Sequence, residues 1–283
     1  MRRERAVMLT LLAMLAFAAN SVLCRLALQR TAIDPATFTG IRLVAGAAAL
    51  GVIVVVRGAP LGGNWLSALA LFAYAAGFSF AYVGLPAATG ALLLFGAVQA
   101  TMIGRGLWTG ERMDAWQVSG LLLAACGLIV LLLPGLSSPP LWAAALMLGA
   151  GIAWGVYSLR GKRAGDPTAS TAGNFLRSVP MALLLVLAMS PRGDMDATGA
   201  AYAIASGALA SGLGYALWYA ALPSLKATTA ATVQLSVPVL AAIGGVVLLG
   251  EAPTLRLLLA SIAVLGGVAL ALSRRGRPRA PAS

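Results

Sequence analysis

The 47 residues of segment 58–104, GAPLGGNWLSALALFAYAAGFSFAYVGLPAATGALLLFGAVQATMIG, contain no charged side chain. Because a bilayer core takes about 20 helical residues per crossing, this segment predicts two membrane spans, separated at residues 85–90. Segment 115–159 repeats the pattern over 45 uncharged residues, with a proline-rich break at 134–140. Charged residues make up 10% of the chain and hydrophobic residues 60%, whereas soluble proteins have roughly 25% charged residues. The sequence therefore predicts an integral membrane protein.

The remaining uncharged segments give the number of spans. Residues 6–24 predict one span. Segments 43–56 and 178–191 have 14 residues each, and they reach the length of a span only if Arg42 and Arg177 lie inside their helices. Three further segments predict one span each: 197–225, 227–250 and 257–273. The predicted fold class is therefore an all-α integral membrane protein with ten transmembrane helices.

The first of these segments also has features of a secretory signal peptide, since a basic start precedes an apolar run that ends at Cys24. Leu23, however, stands where a small residue would precede the cysteine of a lipoprotein, and residues 25–42 lead directly into another span. We therefore predict a first transmembrane helix at this position.

The distribution of basic residues predicts the orientation. If the N-terminus is cytoplasmic, 14 of the 20 Lys and Arg residues fall on the cytoplasmic side, four fall outside, and Arg42 and Arg177 lie within the membrane. Cytoplasmic connections carry such an excess in membrane proteins, so both termini are predicted to be cytoplasmic. Topology then accounts for the net charge of +12, and nucleic acid is not an expected partner. The basic tail 274–283 is predicted to be disordered and to lie on anionic lipid.

Three sequence motifs occur twice, in the same order and 135, 137 and 140 residues apart: Ile41-Arg42 and Leu176-Arg177, YVGLP at 82–86 and YAALP at 219–223, and Gly110-Glu111 and Gly250-Glu251. This pattern indicates a duplicated unit of five helices. Since five spans form an odd number, the second unit enters the membrane from the opposite side, and the repeats are inverted. We predict a first repeat at 1–136 and a second at 137–273, with a substrate site between them near the membrane midplane.

Ten spans, an arginine in the second span of each half and a Gly-Glu pair after each fourth span resemble the EamA family of the drug/metabolite transporter superfamily. The family pattern includes a proline 13 residues before the glutamate. Pro238 supplies it in the second half, whereas Val98 takes its place in the first. The resemblance implies a bacterial-type inner-membrane exporter of small metabolites, such as amino acids or related amphipathic solutes. Inverted repeats of this kind work by alternating access, so we expect a transporter and not an enzyme.

Aromatic side chains recur on the spans that would enclose a substrate. Rings with hydroxyl groups suit an amphipathic solute, and amides at membrane depth usually face the interior of the bundle. The alternative role, helix packing or an interfacial belt, is strongest for Tyr74 and Trp218. The predicted substrate-binding residues are Asn20, Phe78, Tyr82, Gln99, Trp154, Tyr157, Tyr215, Tyr219 and Gln234.

A second set of residues is predicted to be structural or to take part in gating. Arg42 and Arg177 are each able to hold a substrate carboxylate by a bidentate fork. Each also lies within about two turns of a helix end, where it can snorkel or bond exposed carbonyl groups, and we favour this structural role. Glu111 and Glu251 lie at helix ends and are expected to form interfacial ion pairs. The set is completed by the prolines Pro86, Pro223 and Pro238.

Residue types that the chain lacks exclude several classes of function. The sequence has no histidine, which removes Ser-His-Asp triads and His-ligated zinc. Cys24 and Cys126 stand alone in apolar segments and are expected to be buried packing residues, so we expect neither a metal nor a cofactor. No Asp or Glu lies in the core of a predicted span, which favours a facilitator over a proton-coupled pump. An intramembrane transferase would need such groups, whereas a lipid-linked sugar flippase stays open as the alternative.

Overall fold

The structure is a computed structural model that describes residues 3–110, 113–133, 138–161, 166–189, 195–221, 224–225 and 233–273. The regular elements in these segments are all helices. The first five are α1 (Arg3–Arg30), α2 (Pro35–Val56), α3 (Trp65–Gly84), α4 (Ala87–Trp108) and α5 (Ala115–Leu132). The next five are α6 (Leu141–Gly161), α7 (Pro167–Met189), α8 (Ala197–Ala221), α9 (Ser236–Leu249) and α10 (Leu255–Ser273).

The predicted all-α membrane fold is confirmed. Eight of the described helices are long and apolar enough to cross a membrane, and the shorter apolar helices α9 and α10 bring the number to ten. Arg42 and Arg177 lie inside α2 and α7, as the length of the uncharged segments requires. Several predicted features lie outside the described residues: Glu111, Pro223, the tail 274–283 and residues 134–137 of the proline-rich break.

Aspartate side chains mark the starts of several helices. Asp34 caps α2, and Asp114 forms a capping box at the start of α5. Asp196 caps α8 by accepting from the backbone N–H of Gly199, and it also accepts from the N–H of Ala32 in the α1–α2 connection. These hydrogen bonds, first from Gly199 and then from Ala32, lower the pKa of the Asp196 carboxyl below its ordinary value. Carboxylates therefore stand where the helix dipole favours them, at the ends of the bundle.

The two repeats are interleaved. Helix α2 packs on its counterpart α7, and α5 packs on its counterpart α10. Other contacts occur in symmetry-related pairs. Helix α3 packs on α6, and their counterparts α8 and α1 pack on each other. Likewise α4 packs on α6, and their counterparts α9 and α1 pack on each other. Most close contacts between helices therefore join one repeat to the other, as expected for inverted five-helix repeats. A site at the centre of the bundle receives side chains from both halves.

Glycines allow the closest approaches between helices. A Cβ atom on Gly120 of α5 would collide with the carbonyl oxygen of Gly267 in α10, and a Cβ on Gly267 would collide with that of Gly120. A Cβ on Gly207 of α8 would collide with the carbonyl oxygen of Arg42 in α2. This part of α8 is π-helical over Ala205–Leu213, a feature that is frequent at functional sites. Gly207 thus sets how closely α8 approaches the segment of α2 that carries Arg42.

The outer surface of the bundle is apolar. Val55, Leu187 and Ile262 are each more than 70% exposed, as expected of side chains that contact lipid. Cys126 is also exposed on α5, whereas Cys24 is buried. The expectation that both cysteines are buried is therefore wrong for Cys126, because α5 presents this face to the surroundings and packs on α10 through its glycines.

Cysteine labelling tests the orientation of the bundle. In a background with Cys24→Ala and Cys126→Ala, a membrane-impermeant maleimide is expected to react with Ser138→Cys in intact cells, because the α5–α6 connection is predicted to be outside. Leu61→Cys, in the α2–α3 connection, is the control and is expected to react only after permeabilisation. The opposite pattern at the two positions would reverse the orientation of the chain.

Substitution of Gly207 tests the close packing of α8 on α2. Gly207→Ala is expected to lower the melting temperature of the purified protein, because overpacking of this kind costs roughly 1–3 kcal/mol. Gly51→Ala in α2 is the matched control, since a Cβ at that position meets no atom within 4 Å and alanine favours a helix by about 1 kcal/mol. Equal melting temperatures for the two variants in detergent would contradict the packing described here.

Candidate functional site

A buried arginine lies at the interface between the repeats. Arg42 on α2 is 1% exposed. Its Nε donates to Oγ of Ser211 on α8 at 3.3 Å, and its Nη2 donates to the hydroxyl of Tyr74 on α3 at 3.0 Å. The guanidinium carbon lies 5.1 Å from the ring centroid of Tyr74 and 4.9 Å from that of Phe78. Such cation–π contacts stabilise a guanidinium that has lost its water.

Asn20 on α1 links this arrangement to α8. Its Nδ2 donates to the hydroxyl of Tyr74 at 3.2 Å, and its Oδ1 accepts from Oγ of Ser206 at 2.6 Å. The hydroxyl oxygen of Tyr74 therefore accepts from both Asn20 and Arg42. We call Asn20, Arg42, Tyr74, Ser206 and Ser211 the central polar cluster. Its members come from both repeats.

The charge of Arg42 has no ionic partner in the described part of the chain. The ion pairs found there join Arg25 to Glu251 and Arg57 to Asp166, at opposite ends of the bundle. Nη1 of Arg42 is buried and has no hydrogen-bond partner among the described residues. Because an unpaired buried charge destabilises a protein strongly, this environment is unusual for a purely structural arginine.

A small cavity of about 20 Å³ adjoins the central polar cluster. Both repeats contribute to its wall, which consists of Phe17, Asn20, Ser21, Tyr74, Phe78, Leu94, Phe95, Trp154, Ala210 and Tyr215. We call it the central cavity. A space of this size holds about one water molecule, so a solute enters it only if side chains of the wall move.

A much larger cavity of about 860 Å³ opens at one end of the bundle. We call this the basic end, because Arg57, Arg105 and Arg160 lie there. Helices of both repeats line the cavity, and Arg160 donates from Nε to Oγ of Ser67 at 3.0 Å across its wall. Its volume is within the range of about 300–1,000 Å³ that is usual for small-molecule sites. The cavity is therefore large enough for a metabolite.

The ring of Trp154 on α6 contacts residues of both cavities. Its ring centroid lies 4.8 Å from that of Tyr74 and 4.9 Å from that of Tyr215, which both line the central cavity. It also lies 5.5 Å from the ring of Tyr157, which lines the large cavity. Trp154 thus connects the aromatic walls of the large cavity and the central cavity.

At the opposite end of the bundle, which we call the Glu251 end, the carboxylate of Glu251 joins several elements. The carboxylate forms an ion pair with Nε of Arg25 at 3.3 Å. Both carboxylate oxygens accept from the backbone N–H of Ala87, at 2.8 and 3.1 Å. Arg25 also donates from Nη1 to the carbonyl oxygen of Tyr82 at 2.8 Å. These bonds join α1 and the α3–α4 turn to the segment that follows α9.

The predicted substrate-binding residues fall into three groups. Those that line the central cavity are Asn20, Phe78, Trp154 and Tyr215. Those that line the large cavity are Tyr157 and Tyr219. Those that line neither of these cavities are Tyr82, Gln99 and Gln234. The hydroxyl of Tyr82 instead donates to the carbonyl oxygen of Ala87 at 3.3 Å, which places this ring under the start of α4.

The residues predicted to be structural also differ from one another. Arg177 donates from Nη1 to the carbonyl oxygens of Gly62 at 2.7 Å and Gly173 at 2.9 Å. Arg42 is 1% exposed and bonds no carbonyl group among the described residues, contrary to the expectation for both arginines; α8 approaches it closely at Gly207. The two arginines therefore have similar positions in sequence but different surroundings.

Of the other predicted gating residues that the structure describes, Glu251 and Pro86 lie at the Glu251 end. The partner of Glu251 is Arg25, 226 residues away in the sequence. Pro86 precedes α4 and lines, with Glu251, a third cavity of about 320 Å³ at this end. Pro238 is buried in α9. Glu251 and Pro86 thus lie together at this end, whereas Pro238 belongs to a helix that packs on α1 and α4.

Sequence analysis missed three members of the central polar cluster. Tyr74 begins the aromatic series that contains Phe78, but packing or an interfacial belt is the favoured alternative for it, and it is not in the predicted set. Ser211 is the position in the second repeat that corresponds to Tyr74, 137 residues on, and this spacing is the signal that could have selected it. Ser206 has a fainter signal: it lies with Ser211 in the small-residue segment ASGALASGL, residues 205–213. Segments of small residues let helices approach closely in membranes, which is how these hydroxyls reach Asn20 and Arg42.

The site has the chemistry of a binding site. Its amide, hydroxyl, aromatic and guanidinium groups can hold the polar and apolar parts of a small solute. Within the residues that the structure describes, no group of three His, Cys, Asp or Glu side chains is placed to hold a metal ion.

Comparison with known proteins identifies the family. The model of the EamA-like transporter family matches residues 4–133 and again residues 141–273. The uncharacterized protein PA1977 of Pseudomonas aeruginosa is 57% identical over 275 residues, which are 96% of each chain. The threonine/homoserine exporter RhtA of Salmonella typhimurium is 34% identical over 155 residues, which are 50% of each chain. A solved crystal structure shares the fold, with a TM-score of 0.69 and 21% identity over 94% of this chain and 96% of that one. This chain is therefore a multi-pass membrane transporter that belongs to the EamA-like transporter family.

Proposed function

We propose that the protein exports small amphipathic metabolites, with amino acids as the first class to test, across a bacterial inner membrane by alternating access. The observation that carries this proposal is the large cavity between the repeats, which opens at the basic end, whereas the Glu251 end has only a smaller cavity and the ion pair of Glu251 with Arg25. Transporters built from inverted repeats bind substrate between the repeats. The positive-inside rule assigns the basic end to the cytoplasm, so the described conformation corresponds to uptake of solute from the cytoplasm.

The surroundings of the two cavities support a solute with both polar and apolar parts. Tyr157, Tyr219 and Asn174 line the large cavity, and aromatic rings together with Asn20 line the central one. Such walls suit flat or aliphatic groups that carry hydrogen-bonding ends. The similarity of half the chain to a protein named as a threonine/homoserine exporter supports amino acids as the first candidates.

Alternating access requires two barriers that open in turn. We assign the inner barrier to Trp154, which has to move before a solute can pass from the large cavity to the central polar cluster. The outer barrier is the bonding of Glu251 to Arg25 and Ala87. Opening of this barrier breaks charge-assisted hydrogen bonds, which are stronger than neutral ones, so the closed outer end is a defined state.

The transport is proposed to be facilitative. A proton-coupled carrier needs a group that titrates near neutral pH and meets both faces of the membrane in turn. The interior of the predicted spans contains no Asp, Glu or His, and phenols and arginines titrate far from pH 7. The gradient of the solute itself is then the driving force.

A transport assay in sealed proteoliposomes tests this function. Counterflow of labelled L-threonine is expected to follow the solute gradient, because no titrating group is available to couple it to protons. An imposed pH step is expected to give no accumulation, and competition by amino acids, nucleosides and cationic drugs measures the substrate class. Uncoupler-sensitive accumulation that is lost in Glu251→Gln would contradict facilitation and make Glu251 the coupling group. Movement of fluorescent lipid between leaflets without solute exchange would instead support the flippase.

The outer barrier is tested with Cys24, which is buried next to Arg25. In a Cys126→Ala background, Glu251→Gln is expected to raise the rate at which an external impermeant maleimide alkylates Cys24. Loss of a hydrogen bond to a charged group costs roughly 1.5–3 kcal/mol, which corresponds to a rate increase of about tenfold or more if opening limits the reaction.

Arg57→Gln is the matched control for this experiment. It removes the exposed ion pair between Arg57 and Asp166 at the basic end, and it is expected to leave the alkylation rate of Cys24 unchanged. An unchanged rate in Glu251→Gln, or an equal increase in both variants, would remove Glu251 from the outer barrier.

A further inference from the structure

We infer that Arg42 is the receptor for the carboxylate of the transported solute, so that the central polar cluster selects small carboxylic acids, amino acids among them. This inference rests on the proposed transport function and adds a specific role for one residue. It also replaces the structural role that the sequence favoured for Arg42.

The first argument is electrostatic. Arg42 carries a full charge in the interior of the bundle, where it is 1% exposed. Every carboxylate that the structure describes lies at an end of a helix, and the ion pairs there join Arg25 to Glu251 and Arg57 to Asp166. Charged groups within a membrane are costly and usually pair with an opposite charge. An anionic solute is the partner that this position lacks within the described chain.

The second argument is the hydrogen bonding of the guanidinium. Nε and Nη2 donate to the hydroxyls of Ser211 and Tyr74, which fixes the plane of the group. Nη1 is buried and has no hydrogen-bond partner among the described residues. It is the only buried side-chain nitrogen or oxygen atom in the described part of the chain that lacks such a partner. Arginine binds carboxylates through two parallel N–H donors. A carboxylate at Nη1 would therefore meet a donor that is already oriented by its neighbours.

The third argument is the position of Arg42 beside the central cavity. Arg42 does not itself line this cavity, but its guanidinium lies over the rings of Tyr74 and Phe78, which both do. A carboxylate would therefore reach the guanidinium when these rings shift. Asn20 belongs to the cluster and to the cavity wall, so a polar side chain that is bonded to Tyr74 also lines the space that a solute would enter. The solute would reach this place from the large cavity when Trp154 moves aside.

Arg177 provides an internal comparison. It occupies the corresponding position in the second repeat, but its Nη1 donates to two backbone carbonyl oxygens, those of Gly62 and Gly173. The hydrogen-bonding capacity of that Nη1 is used within the protein. Arg177 therefore fits a structural role, whereas Arg42 keeps a donor for a ligand.

The test compares L-threonine with L-threoninamide, which differ in a carboxylate and a neutral carboxamide. Both are assayed on the full-length protein, by counterflow in proteoliposomes and by thermal stabilisation of the purified protein at constant ionic strength. Arg42→Gln is expected to raise the half-saturating concentration of L-threonine by roughly tenfold to a hundredfold, the value of a hydrogen bond to a charged group. The response to L-threoninamide is expected to stay the same or improve. Arg42→Lys, which keeps the charge but loses the fork, is expected to give an intermediate value.

Arg177→Gln is the matched control, since it removes the same charge from the equivalent position. It is expected to change the responses to the two probes by equal factors. If Arg42→Gln does not fold, Arg42→Lys and Tyr74→Phe carry the test, because both keep the buried charge and are expected to reduce the preference for L-threonine.

The outcomes separate this inference from the transport function. If L-threonine is transported but Arg42→Gln leaves the ratio of the two probes unchanged, the inference is overturned and the transport function stands. If no transport occurs but L-threonine stabilises the wild-type protein and not Arg42→Gln, the carboxylate-binding role of Arg42 stands and the transport function fails. A wild-type protein that does not distinguish the two probes in either assay, or an equal shift of the ratio in Arg177→Gln, also overturns the inference.

Discussion

Polar groups inside a bilayer need partners within the protein because lipid offers none, and in this chain many of those partners come from the opposite repeat. Asn20 bonds Ser206, Arg42 bonds Ser211, and Ser178 of α7 donates to the carbonyl oxygen of Ala68 in α3 at 3.0 Å. The bonds that hold the bundle together therefore cross the surface along which the repeats would have to shift. Each conformation has to satisfy these groups again, which favours a few defined states over a continuous motion.

The number of helices could be predicted because the hydrocarbon layer imposes a length on apolar segments. The positions of side chains within the site could not be predicted in the same way. Tyr74, Phe78 and Tyr82 share one face of α3, but each step of four residues moves about 6 Å along the helix axis. The three rings therefore meet different surroundings: the central polar cluster, the central cavity and the start of α4. The spacing of the aromatic residues indicates which face of α3 they share. The surroundings of each ring depend on which neighbouring helices pack against that face at its depth.

Arg42 and Arg177 illustrate what sequence symmetry leaves undetermined. Arg42 meets the π-helical part of α8, where Gly207 allows close contact and Ser211 supplies a hydroxyl. Arg177 instead reaches the α2–α3 connection and bonds Gly62. The small residues of α8 are visible in the sequence, but no pattern in the sequence signals the π-helical stretch. The chemical difference between the two arginines is thus a difference between the segments that they meet.

Tyr82 and Tyr219 occupy equivalent positions in the two repeats, at opposite ends of the bundle. Tyr82 is completely buried at the Glu251 end, whereas Tyr219 lines the large cavity. Because the repeats are inverted, this one conformation shows the same position of the repeat in two environments: buried at Tyr82 and lining a cavity at Tyr219. If the two halves exchange their arrangements, Tyr82 acquires the surroundings that Tyr219 has in this structure. Tyr82 would then leave the carbonyl group of Ala87 and line a cavity at the Glu251 end.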